Sequence, residues 1–374
     1  MKENECITVR RARSVFMTVH FNDKEFNYSD ELRQKFAEIK EIGINAVRFD
    51  FRINEWKEQG RKYVEKTQEM IGIAVEYKLG IIPIISNPVN NILPNKEEIE
   101  EIRRVVTIDG TLTIPRVQLL NEWNNRIYTP KETLEDLPRF ITEVREVFGV
   151  ETQLYATLFL GTTFNRMVNR FIGIVPFDSF VEKFSDLISK VDILGIDYYP
   201  GTWHLTFGES LNLKRLTSAL TLVTQKFPNL KIDLGELGVA SFIPCRIGEI
   251  RQAWIFTSFM RLLVVNKILD KFEIDTVGLY ISESPTSGEA VPNIMNFGLL
   301  YTADRRATEL YNFERRQKLR ISIVRLVAEF LVTGKITLSN DEITNRKRRN
   351  ETLIVSIIKR VKAPPRKLLV RRSL

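Results

Sequence analysis

Cysteine and histidine are nearly missing from this 374-residue chain, which holds two of each: Cys6 and Cys245, His20 and His204. Two thiols exclude a disulfide framework, and so few thiols and imidazoles argue against a Cys- or His-based metal site. Long apolar runs are missing too. None approaches the roughly 20 residues of a membrane-spanning helix, and the opening MKENECITVRRARSVF has no apolar stretch of secretory-signal length. No G-x-G-x-x-G follows the first strand candidate, and no glycine loop able to cradle phosphate occurs elsewhere. These absences lead us to expect a cytoplasmic globular protein with no metal and no organic cofactor.

Apolar residues make up 44% of the chain and charged residues 27%, enough apolar side chain for a packed core. The formal charge of +8 is unevenly spread. Residues 345–374 contain eleven Lys or Arg and one acid, Glu351, so this tail carries +10 and the other 344 residues −2. Attraction to an anionic surface, lipid or nucleic acid, therefore belongs to the tail alone. KITLSNDEI (335–343) and ETLIVSII (351–358) carry β-branched residues suited to a small hairpin-like appendage.

Elsewhere, short apolar runs alternate with longer amphipathic segments. Strand candidates fall at 14–19, 44–51, 79–86, 114–120, 152–160, 192–199, 230–236 and 275–282. Helical patterns separate them at 30–42, 61–77, 96–104, 131–148, 178–189, 211–226 and 248–269, and another begins near Asp304. The runs are rich in Val, Ile and Leu rather than alternating, as expected of a parallel sheet covered on both faces. Eight βα units predict an α/β protein, a closed (β/α)8 TIM barrel over 1–334, with a small basic extension at 335–374.

The carboxyl ends of barrel strands carry the active site. Here those ends present Arg48, Asp50 and Arg52 on the second candidate, Asn121-Glu122-Trp123 after the fourth and Asp197-Tyr198-Tyr199 on the sixth. Gly235-Glu236-Leu237-Gly238 ends the seventh and Ser282-Glu283 the eighth. Glu122 and Glu236 would face each other across the mouth. Paired carboxylates there suit glycoside hydrolysis, in which one keeps a proton for the leaving oxygen and the other attacks the anomeric carbon. Arg48 and a tyrosine hydroxyl would keep the attacking carboxylate ionised and oriented.

The order Arg48, Asn121-Glu122, Tyr199, Glu236 resembles clan A of the glycoside hydrolases, retaining (β/α)8 enzymes, over roughly residues 13–315. DILGIDYYPGTWH (192–204), followed by a helix and KIDLGELG, is most similar to family 53 galactanases and neighbouring families. FGLLYTADRRATELY (297–311) resembles the stretch such enzymes place after the eighth strand. The resemblance implies Glu122 as acid/base, Glu236 as nucleophile, and Asn121 as partner of the sugar 2-hydroxyl. It also implies Arg48 and Tyr199 (or Tyr198) as supports of Glu236, and a β-linked oligo- or polysaccharide as substrate. Trp123, Tyr198 and Trp203 are candidate substrate contacts, with His204 at the rim and His20 in reach of a sugar hydroxyl. Many clan members carry Trp at the end of strand eight, where this chain reads YISES (280–284), and His at the end of strand three, where it has Ser86-Asn87. Asp197 stands in place of a strand-six His, and these departures bear on the substrate more than on the reaction. The alternative reading is a non-catalytic barrel that binds carbohydrate or a protein, tethered by its basic tail.

Overall fold

The eight apolar runs fold as parallel strands that close on one another. In the computed structural model the described residues are 7–10, 15–21, 29–41, 43–126, 128–160, 173–199, 213–238, 241–242, 259–260, 262–263, 266–280, 295–296 and 335–338. The strands are β1 (Ile7–Arg10), β2 (Phe16–Phe21), β3 (Ala46–Arg52), β4 (Gly80–Ser86), β5 (Arg116–Leu119) and β6 (Gln153–Phe159). They continue with β7 (Ile193–Tyr198), β8 (Lys231–Leu237), β9 (Ser241–Phe242), β10 (Thr276–Leu279), β11 (Met295–Asn296) and β12 (Lys335–Leu338). The order β10-β2-β3-β4-β5-β6-β7-β8 forms a closed barrel, with β8 returning to β10. This is the expected (β/α)8 architecture.

Pleating gives the strands an apolar outer face and a bore that gathers the polar side chains, apart from Ile82 and Ile84 of β4. Phe21 and Phe51 pack outward on Phe36, Trp56 and Tyr63 of the covering helices. The helices answer with apolar stripes. Lys96–Val106 buries Ile99, Ile102, Val105 and Val106, and begins with a reciprocal cap between Asn95 and Glu98. Lys131–Phe148 forms over the span its periodicity predicts. The short helix Ile53–Gln59 has no forewarning; it leaves β3 directly and stops at Gly60, whose φ of 56° favours glycine.

The bore is charged from its floor upward. Arg116 donates to Asp233 Oδ2 at 2.9 Å and to Thr276 Oγ1 at 3.2 Å. The Arg116 and Arg48 guanidiniums lie 5.6 and 5.7 Å from the Tyr155 ring centre. Glycine makes room for the Tyr155 ring, since a Cβ on Gly195 or on Gly235 would meet its hydroxyl oxygen, and a Cβ on Gly278 would lie 1.9 Å from the Gly235 carbonyl oxygen. β8 also carries one residue more than β7 between paired positions, since Gly195 faces Asp233 and Asp197 faces Glu236. That bulge turns Glu236 into the bore, where plain alternation from Asp233 would point it out.

β12 pairs antiparallel with β1, Leu338 opposite Ile7. The other half of the anticipated appendage, 351–358, lies outside the described residues, as do the basic tail, the helix from Asp304, Cys6 and Cys245. No helix among the described residues is long and apolar enough to cross a membrane.

Candidate active site

Glu122 is presented by an unusual turn. After β5 the backbone is left-handed at Leu120 (φ 59°) and Glu122 (φ 44°), conformations that cost roughly 1–3 kcal/mol for such residues and persist where surroundings enforce them. Thr157 does the enforcing: its Oγ1 accepts the Glu122 N–H at 2.9 Å and its carbonyl accepts the Trp123 N–H at 2.9 Å. The Glu122 carboxyl is buried, and its Oε2 accepts from Asn125 Nδ2 at 2.7 Å. Burial, and then the charge of Glu236, push its pKa up to about 8 against the Asn125 and Tyr199 hydrogen bonds.

Glu236 has the opposite surroundings. Its Oε1 accepts from Arg48 Nη2 at 3.2 Å and faces His20 Nδ1 at 3.1 Å, while the Tyr199 hydroxyl donates to Oε2. Arg48 is held in turn by Gln118 Oε1, at 3.1 Å from Nε and 2.5 Å from Nη2, and by the Gly235 carbonyl. Burial would raise the Glu236 pKa; the His20 hydrogen bond, the charges of Arg48 and His20 and the Tyr199 hydroxyl outweigh it and hold it low. The other ring nitrogen of His20, Nε2, lies 3.0 Å from Asp50 Oδ2. Burial disfavours the imidazolium, but Asp50 and Glu236 more than offset this and lift His20 to about 9. Asp50 falls to about 2, with burial opposed by His20, Arg52 and Ser86.

Asp197 completes a buried cluster in which one carboxyl oxygen each of Glu122, Asp197 and Glu236 lies within 4.8 Å of the others. Burial first, and then the charges of Glu236 and Glu122, hold Asp197 well above the usual carboxylate range despite Arg48. Three carboxyl oxygens so grouped can hold a water, a hydroxyl or a cation between them.

The structure brings Arg48, Glu122, Tyr199 and Glu236 together, and corrects other expectations. Trp123 is not a sugar platform: it is fully buried and its Nε1–H donates to the Leu119 carbonyl at 2.6 Å. Tyr198 points out of the bore into the core against Phe259, with ring centres 5.5 Å apart, so Tyr199 is the one beside Glu236. His20 turns both ring nitrogens to carboxylates rather than to the cleft. Asn121 Oδ1 accepts from Gln118 Nε2 and Thr157 Oγ1, each at 3.2 Å. Trp203 and His204 lie outside the described residues.

Sequence reasoning passes over Gln118, Asn125, Tyr128 and Tyr280. Tyr280 stands just past β10, edge-on to His20 at 5.4 Å and to Tyr199 at 5.5 Å, an aromatic ring at the end of the eighth barrel strand. Alternation from Thr276 through Gly278 was its available signal. Burial of the Tyr128 hydroxyl, and then the charges of Glu122, Glu236 and Asp50, raise its pKa.

No family model matches the chain, and no curated protein matches its sequence. Solved structures do match. A GH5_18 protein of Bifidobacterium longum subsp. longum, solved with Manβ1-4GlcNAc, is 13% identical with a TM-score of 0.59, over 84% of this chain and 78% of its own. A GH5_18 protein of Streptomyces cattleya, in complex with GlcNAc, is 12% identical with a TM-score of 0.58, over 86% and 81%. The endo-β-1,4-mannanase of Thermotoga petrophila is 12% identical with a TM-score of 0.55, over 86% and 77%. The clan A resemblance of the sequence is thus met in three dimensions as a likeness of fold: this chain is a (β/α)8 barrel built like those of GH5_18 proteins and a β-mannanase.

Proposed function

We propose that the protein is a retaining β-glycoside hydrolase of a β-linked oligo- or polysaccharide, with Glu122 as acid/base and Glu236 as nucleophile. The observation that carries this reading is the pair itself: two buried carboxyls within 4.8 Å whose surroundings drive their proton affinities apart. Oxygens that near leave the pair short of the roughly 6.5–9.5 Å that admits a water in inverting enzymes, which supports the closer retaining arrangement. In the first step Glu236 bonds to the anomeric carbon as the glycosidic bond breaks, and the departing oxygen takes the Glu122 proton. In the second, Glu122 takes a proton from water, whose oxygen displaces the Glu236 carboxylate. This chemistry needs no metal or organic cofactor.

Since the similar structures include a β-mannanase and a protein holding Manβ1-4GlcNAc, a substrate panel begins with β-mannosides and extends to β-glucosides, β-galactosides and their polymers. Glu236→Gln should abolish turnover on every substrate. Glu122→Gln should lose roughly 10²–10⁴-fold on natural glycans and far less on 2,4-dinitrophenyl glycosides, whose leaving group needs no proton. Equal loss on both substrate types would refute the acid/base assignment, and a wild type silent on the whole panel would favour a barrel that binds without cleaving.

A further inference from the structure

The two oxygens of Glu236 are held unequally. Oε1 faces two nitrogens, Arg48 Nη2 at 3.2 Å and His20 Nδ1 at 3.1 Å, whereas the Tyr199 hydroxyl donates to Oε2. Behind His20 stands Asp50, whose Oδ2 lies 3.0 Å from Nε2, so the imidazole bridges two carboxylates on different strands. We propose that His20 and Asp50 are a positioning pair for Glu236 that anchors Oε1, leaves Oε2 as the attacking oxygen, and acts chiefly on release of the sugar from the enzyme. The proposal rests on Glu236 being the nucleophile.

The asymmetry between the two steps follows from where charge moves. In the first step Oε2 bonds to the anomeric carbon, the bond to the aglycone oxygen breaks with its electron pair, and the Glu122 proton joins that oxygen. Glu236 thereby loses its negative charge, so a cation that stabilises the carboxylate gives no help and weakens the nucleophile. Oε1 becomes the ester carbonyl oxygen, still facing His20 and Arg48. In the second step the water oxygen bonds to the anomeric carbon, its proton goes to Glu122, and the Oε2–carbon bond breaks with its pair returning to Glu236. Negative charge now builds on Glu236, and a cationic His20 stabilises it as it forms. Asp50 accepts from Nε2, fixing the ring and keeping it cationic. The charged and titratable groups around this imidazole are Asp50 and Arg48 from β3, Arg48 sharing Glu236 Oε1 with it and Arg52 lying 4.0 Å from the Asp50 carboxylate, Glu236 from β8, and Tyr280 edge-on from the end of β10.

The test uses 2,4-dinitrophenyl β-mannoside, β-glucoside and β-galactoside, for which departure of the aglycone is fast and kcat reports release of the sugar. His20→Gln should lower kcat about 10–100-fold and KM nearly in parallel, so that kcat/KM changes less than about fivefold and the glycosyl-enzyme accumulates. Asp50→Asn leaves His20 in place but strips its counter-charge. Its kcat should match that of His20→Gln at pH 8 and recover toward wild type as pH falls and the ring takes up its proton, while the His20→Gln deficit stays constant. A merely structural loss would lower kcat/KM, or kcat at fixed KM, in parallel at every pH, and that result in either folded variant overturns the pair. If His20→Gln does not fold, the pH-dependent recovery of Asp50→Asn decides alone. Labelling wild type with the matching 2-deoxy-2-fluoro glycosides separates the two claims: no label on Glu236 refutes the nucleophile, whereas label on Glu236 with unchanged variants refutes only the positioning pair.

Discussion

Replacing Asn125 by Ala should extend activity to higher pH, an outcome opposite to the usual cost of removing an active-site side chain. Asn125 Nδ2 donates to Glu122 Oε2 at 2.7 Å in a buried setting. A donor favours the ionised carboxyl, so its loss raises the pKa of Glu122 beyond about 8. A hydrogen bond to a charged group is worth roughly 1.5–3 kcal/mol, part of which the protonated carboxyl retains as an acceptor. The differential loss is then about 1–1.5 kcal/mol, or about one pH unit. The acid/base must hold its proton to act, so activity lies below this pKa and is lost as pH rises through it. The alkaline limb of kcat/KM, near pH 8 in wild type, should fall near about 9 in Asn125→Ala. The assay is kcat/KM from pH 5 to 10 on an alkyl or disaccharide substrate, whose departure requires the acid. An alkaline limb that stays in place or moves down would refute the placement of this proton on Glu122.

Three further predictions concern stability. Gly278→Ala should cost more than about 3 kcal/mol in denaturant unfolding, because its Cβ would meet the Gly235 backbone at 1.9 Å. Gly72→Ala, inside the helix Arg61–Glu76 with nothing within 4 Å of a new Cβ, should instead gain about 0.5–1 kcal/mol. Trp123→Phe should lower the melting temperature through lost packing and the lost bond to Leu119, with KM unchanged on any substrate that is turned over; a raised KM would return Trp123 to the sugar site.

The barrel is legible in the sequence because its signal repeats eight times. Each run needs only enough Val, Ile and Leu to cover the outer face of its strand, and a misplaced end costs the reading nothing. Single side chains give no such redundancy. Tyr198 and Tyr199 differ by one step of strand parity, and counting from Asp197 as an inward residue decides for Tyr199. Trp123 follows Glu122 directly, yet the left-handed backbone at Glu122 sends the indole into the core, and no local pattern announces a positive φ at glutamate. The bulge that aims Glu236 is a relation between β8 and its neighbours, and becomes readable only when the strands are paired. Asp50 and His20 lie 30 residues apart in sequence, and only the adjacency of β2 and β3 joins them.

The circular order of the strands also ties chemistry to assembly. Arg48 and Glu122 hang from the first half of the ring, β2 to β5, whereas Tyr199 and Glu236 hang from the second, β6 to β8 and β10. Two seams join the halves: β5 against β6, and β10 against β2, where Thr276 meets Phe16. Neither half owns a complete pair of carboxyls. A chain refolding from denaturant can therefore regain helix and strand signals early and still be inert, and turnover returns only with the last seam. On the proposed function, turnover is a clock for ring closure.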